Sequence, residues 1–198
     1  MRFDFRGQGQ SEVTEEGYDM DSLAADAIAL IEQLDLGPLH LVGFSMGGFV
    51  SHRVALERSD LVRSLTLMNT SAERESTKKR PRYLLLNFMA RWFGLKVVAR
   101  RILPILFSPG FINDPAQADR RDQWLGYVLE NDRIGVTLAV RGVIDRAPVL
   151  DSIEHIEAPT LIITADEDHA TPRIKAKEPL NNSARSAFLP QKPQIVCC

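Results

Sequence analysis

Leu39-His40-Leu41-Val42-Gly43-Phe44-Ser45-Met46-Gly47-Gly48 runs an apolar strand-like segment into a serine flanked by glycines, and a helical pattern from Met46 to Arg58 follows at once. Strand, small-residue turn and helix in this order match a nucleophile elbow. The turn is too tight for bulky neighbours, so Gly43 and Gly47 are expected to serve it by lacking a Cβ. Ser45 is then held at the top of the strand, at the N-terminus of the next helix. There the helix dipole and the N–H of Met46 favour developing negative charge, as an oxyanion hole requires.

Composition frames this motif. At 198 residues, 44% hydrophobic, the chain suits a globular domain with a sizeable core. A net charge of −2 gives no reason to expect nucleic acid or a membrane as partner. No apolar stretch approaches the length of a bilayer span, and Met1-Arg2-Phe3-Asp4-Phe5-Arg6 holds no signal-peptide core, so a cytoplasmic chain is expected. Cys197 and Cys198 are the only cysteines, adjacent and at the end of the chain. They suit neither a structural disulfide nor a metal site, and no polybasic flank supports reading them as a lipid anchor. Gly7 and Gly9 lack the third glycine and the helix of a dinucleotide loop, so neither cofactor nor metal is expected.

Elsewhere the pattern alternates. Phe3 and Phe5 between charged residues predict a strand, with Arg6–Ser11 as its exit turn. Asp19 or Asp21 can cap a helix whose apolar face is Leu23, Ala27, Leu30, Ile31 and Leu34, stopped by Gly37-Pro38. Leu61–Met68 reads as a second buried strand. From about Ser71 to Ala147 the alternation breaks into helical patterns: Tyr83–Phe93, Val97–Leu106, Gln123–Asn131 and Ile134–Ile144. Their apolar residues cover more than one narrow stripe, which suits helices packed on each other and also a cap with an apolar inner side. Trp92 and Phe93 are expected to belong to such a lid. Alternation resumes with a short helix at Val149–Ile156 and a strand at Pro159–Thr164.

These motifs together resemble the α/β-hydrolase fold family, within its small lactonases and esterases of the 3-oxoadipate enol-lactonase kind. Asp4-Phe5-Arg6-Gly7-Gln8-Gly9-Gln10-Ser11 is similar to the loop after that family's fourth strand, and the Ser45 elbow follows its fifth. Ala158–Ile163 and then Asp168-His169-Ala170-Thr171-Pro172 resemble its seventh strand and acid loop. The resemblance implies a mainly parallel sheet flanked by helices, lacking the family's first three strands. It implies a core of residues 1–70 and 148–198 and a helical cap insertion at 71–147.

For chemistry, it implies Ser45 as nucleophile, Asp168 as the acid that orients a histidine, and Met46 as oxyanion donor. Asp166 and Glu167 lie beside Asp168, but only Asp168 has the family spacing to Thr171-Pro172. The family's histidine follows its eighth strand. Here Ala187–Pro190 begins such a strand and Gln191–Cys198 follows, without a histidine. His40 should lie roughly 16 Å from Ser45, at the other end of its strand. His52 should lie roughly 10 Å into the elbow helix. His155 precedes the seventh strand, and His169 adjoins Asp168 as a possible substitute base. Three readings stay open, the first two being a serine hydrolase of small esters or lactones and a non-catalytic truncated or degenerate homologue. A non-hydrolytic serine-triad relative such as a perhydrolase is the third option.

Overall fold

A computed structural model describes residues 1–165, 168 and 186–191. The chain divides into two compact units, Met1–Asp19 with Glu75–Arg146, and Met20–Arg74 with Ala147–Cys198.

The second of these holds the sheet. Helix α1 (Met20–Gln33) buries Met20, Leu23, Ala24, Ala27, Ile28 and Ile31, the spacing of one helical face. Leu34, expected on that face, lies beyond the helix end and is exposed. Strand β1 (Leu39–Phe44) leads through Ser45 into α2 (Met46–Glu57), and β2 (Val62–Met68) follows a short turn at Ser59–Leu61. After the other unit come a short helical turn at Leu150–His155, β3 (Thr160–Ala165) and β4 (Ser186–Gln191). The four strands lie in the order β1-β2-β3-β4, every neighbouring pair parallel. Phe44 pairs with Met68 and Met68 with Ile163, so the strands finish at a common C-terminal edge.

Leu23, Val54, Leu65, Leu67 and Ile153 are fully buried in this unit. Each such side chain contributes about 1.5–3 kcal/mol relative to an exposed position. Arg53 on α2 is also buried, and each of its three guanidinium nitrogens donates a hydrogen bond. It bonds Asp21 of α1 at 2.5 Å, the Phe49 carbonyl at 3.0 Å and the Ala147 carbonyl at 2.8 Å.

The other unit is helical: α3 (Arg80–Phe93), α4 (Leu95–Leu106), α5 (Pro109–Asn113), α6 (Ala118–Glu130) and α7 (Arg133–Asp145). Polar caps set several starts. Ser108 accepts from the Phe111 N–H before α5, and Asp132 accepts from Ile134 and Gly135 before α7. The small core is Ala90, Leu95 and Val98, with Leu86, Met89, Ile102 and Val136 packed against it. Phe107 stacks on Phe111 and meets Trp124 edge-on.

Residues 1–19 correct the reading of a strand at Phe3–Arg6. They form no strand and group with the helices, not with the sheet. The alternation of Phe3 and Phe5 is real, but among the described residues no strand pairs with it, and a lone strand leaves its backbone groups without a ladder. The two rings pack on each other edge-on instead. The segment then closes into a loop. Gly7 N–H donates to Glu12, Ser11 Oγ to the Asp4 carbonyl at 2.7 Å, and Gly9 N–H to Asn131 Oδ1 at 3.0 Å. Gly7 has φ +69°, and a Cβ on Gly135 would stand 2.0 Å from its carbonyl oxygen. Both glycines are therefore needed where the loop meets α7. Trp92 and Phe93 are exposed, at 67% each.

Candidate active site

Ser45 stands between β1 and α2 with φ 48° and ψ −112°. A non-glycine residue there is strained by about 1–3 kcal/mol and persists only when its surroundings hold it. The hold is visible on every side. The Ser45 N–H donates to the Met68 carbonyl of β2 at 2.9 Å. Its carbonyl accepts from the Gly48 N–H at 2.9 Å, the Phe49 N–H at 3.3 Å and Thr70 Oγ1 at 3.0 Å. All of the backbone bonding capacity is spent on fixing the turn. The Ser45 hydroxyl makes no hydrogen bond among the described residues and does not cap the helix.

The glycines around it have different reasons. A Cβ on Gly43 would stand 2.5 Å from Ser51 Oγ and 2.6 Å from the Gly47 carbonyl oxygen, so nothing larger fits. A Cβ on Gly47 would meet nothing within 4 Å, so among the described residues the tightness of the turn does not demand that glycine. Gly48 does demand it, because a Cβ there would stand 2.5 Å from the Thr70 side chain. Met46 is the first residue of α2.

Asp168 lies beyond the end of β3, its N–H turned back to the Ala165 carbonyl at 3.3 Å. Ser45 follows β1 and Asp168 follows β3, one strand apart across β2, on the same edge of a parallel sheet. At one strand spacing per step the strand ends that carry them are roughly 10 Å apart. Asn69, at φ 46° after β2, fills the step between. Its N–H donates to the Ile163 carbonyl at 3.0 Å, and its Oδ1 accepts from the Ala165 N–H at 3.1 Å. It ties the end of β2 to the strand from which Asp168 projects. Sequence reasoning passed over Asn69 and Thr70. Their signal was an asparagine, tolerant of positive φ, directly after a strand.

The histidines are distributed as follows. His40 sits at the start of β1, exposed, with Nδ1 2.7 Å from Ser64 Oγ. His155 is exposed at the turn before β3, with Nδ1 3.1 Å from the Ser152 carbonyl. His52 is buried in α2, and neither ring nitrogen reaches hydrogen-bond geometry with a described residue. Burial pushes its pKa down to about 4; the Gly48 backbone opposes the shift and Arg53 adds to it. His169, Asp166 and Glu167 lie outside the described residues, as do Cys197 and Cys198. The structure thus brings Ser45 and Asp168 to one edge and places His40, His52 and His155 elsewhere on the unit.

A protein-family model for the alpha/beta hydrolase fold matches residues 1–195. The AB hydrolase superfamily protein YisY of Bacillus subtilis is 30% identical, over 97% of this chain and 76% of its own length. The 3-oxoadipate enol-lactonase 2 of Acinetobacter baylyi is 26% identical over 85% of this chain, which spans 61% of that relative. A thermophilic esterase of Thermogutta terrifontis superposes with a TM-score of 0.85 at 24% identity, covering 96% of this chain and 70% of the esterase. The match over nearly the whole length, the parallel sheet and the elbow agree: this chain belongs to the alpha/beta hydrolase fold family.

Proposed function

We propose that this chain is a serine hydrolase of small carboxylic esters or lactones, with Ser45 as nucleophile. The backbone of Ser45 carries the reading. A strained φ of 48°, held by four hydrogen bonds, leaves the hydroxyl without a structural task among the described residues. In this reading Ser45 Oγ attacks the substrate carbonyl carbon and its proton passes to an imidazole. The oxyanion takes a hydrogen bond from the Met46 N–H at the positive end of α2. The same imidazole returns the proton to the leaving oxygen, and water then frees the acyl group from Ser45. Asp168 orients the imidazole and stabilises its charged form. His169, adjacent to Asp168 in sequence, is the candidate base to be tested. The helical stretch at 71–147 serves as cap. The enol-lactonase among the relatives supports lactones and enol esters as the substrate class.

A fluorophosphonate probe labels an activated serine, and Ser45→Ala is expected to abolish that labelling. Full labelling of Ser45→Ala would remove the serine from the mechanism. A second reading rests on the absence of a histidine bonded to Ser45 among the described residues: a homologue that binds small molecules without turning them over. It predicts no labelling of the unaltered chain. Labelling that is lost in His169→Ala as well as in Ser45→Ala assigns the base.

A further inference from the structure

Helix α3 is apolar on two sides. Its inner side, Leu86, Met89 and Ala90, packs against Leu95, Val98, Ile102 and Val136. Its outer side presents Leu85, Phe88, Trp92 and Phe93, which are 54–67% exposed. Leu85, Phe88 and Trp92 follow i, i+3, i+7, and Phe88 touches both Trp92 and Phe93, so the four form one patch. A helix with apolar residues on two sides has one of them left without an occupant here, and an exposed cluster of this kind marks an interaction surface.

The charge of the stretch that carries the patch names that occupant. From Ser76 to Asn113 the sequence has eight Lys or Arg and no Asp or Glu. Residues 75–146 hold thirteen Lys and Arg against seven Asp and Glu, a formal +6 in a chain whose total is −2. The overall charge therefore hides a separation. Of the eight cations, Lys78, Arg82, Lys96 and Arg100 are exposed and make no ion pair among the described residues, whereas Arg80 is held by Asp145. Arg82 lies one turn before Leu85, on the margin of the aromatic patch. Lys96, Arg100 and Arg101 edge an apolar cleft of about 430 Å³ floored by Val97, Ala99, Leu125 and Leu129. Long cationic side chains with apolar stems beside Trp, Phe and Leu are the makings of an interfacial surface: rings enter the acyl boundary while cations meet lipid phosphates.

We propose that the outer face of α3, with Lys78 just before it and the cations of α3 and α4, docks this protein on an anionic membrane surface. Aliphatic Leu85, the cleft floor and rings tilted against one another favour a bilayer over nucleic acid, which needs open ring faces for its bases. No helix of the described residues is long and apolar enough to cross a membrane, so the contact is peripheral. It does not depend on Ser45.

The test is co-sedimentation of the full chain with vesicles of phosphatidylcholine alone and with phosphatidylglycerol added. Binding is expected to the anionic vesicles only, and to weaken as salt rises. Lys78→Glu with Arg82→Glu should weaken it by about tenfold or more, since each cation near the surface supports binding severalfold. Trp92→Ser with Phe93→Ser should do the same; both positions are exposed, and circular dichroism checks folding. In a Trp124→Phe background the Trp92 emission should shift to the blue on binding. Absence of binding to anionic vesicles, equal binding to neutral ones, or variants that bind as before would overturn the proposal. So would a Trp92- and Phe93-dependent dimer, or a single-stranded oligonucleotide that binds where vesicles do not.

Discussion

Ser45 and His52 lie two turns apart and show opposite uses of a polar side chain. Ser45 has its backbone fully bonded and its hydroxyl unclaimed, whereas His52 has its ring buried and unpartnered among the described residues. The cost of His52 is pH-dependent. Burial holds its pKa at about 4, below the ordinary 6.5, so the unfolded chain takes up the proton first. Its contribution to stability is intact above the ordinary value, falls away as pH drops toward 4, and is flat below that. By linkage the full loss is about 3 kcal/mol, roughly two-thirds of it reached at about pH 5. Urea unfolding should therefore show that the unaltered protein loses about 2 kcal/mol more than His52→Met between neutral pH and about pH 5. Parallel pH curves for the two proteins would mean that another group titrates.

At the scale of elements, charged residues work as clamps. Arg146, at the end of α7, is 3% exposed and pairs at 3.1 Å with Glu75, 10% exposed, just before α3. Arg146 also donates to the Val143 carbonyl, and Glu75 accepts from the Ser76 N–H. Arg146→Ala would leave a buried carboxylate with one weak partner, at an expected cost of about 3–5 kcal/mol. Replacing both by leucine should recover much of this, because neither charge is then stranded. Thermal unfolding of the two variants and the unaltered protein decides it: a cost under about 1 kcal/mol for Arg146→Ala would show that water solvates Glu75 freely. The Arg53–Asp21 pair differs. Asp21 is 74% exposed and water can take over its charge, so only Arg53 depends on the pairing.

Across the whole molecule, the chain leaves the sheet unit and returns to it at adjacent points. The Val149 N–H donates to the Ala72 carbonyl at 2.8 Å, and Arg53 holds the Ala147 carbonyl. Within the helical unit, Glu75 and Arg146 join the same two crossings again. Within each unit, the segments on either side of residues 75–146 are thus tied to one another. The Val149 amide belongs to no helix or strand, yet hydrogen exchange should find it protected like the ends of β2. Exchange at the rate of an open loop would show that the two crossings separate readily.

The elbow was legible in the sequence because its constraints are local. A strand, a serine and a helix within a dozen residues leave one backbone path, and Gly43 is the residue that path requires. The helices between Arg80 and Asp145 were legible for a similar reason, since their apolar periods repeat within single elements. The strand at Phe3–Arg6 was misread because alternation describes one chain segment, while a strand needs a partner, and partners are fixed only in three dimensions. Gly47 and Gly48 look alike in the sequence. Only the position of Thr70, 22 residues on, makes one of them indispensable. Asn69 as the tie between β2 and β3, the pairing of Arg146 with Glu75, and the exposure of Trp92 and Phe93 also depend on distant segments meeting. Sequence carries identity and period along one dimension. Which residues share a strand edge, a buried charge or an open face follows from packing between segments far apart in the chain.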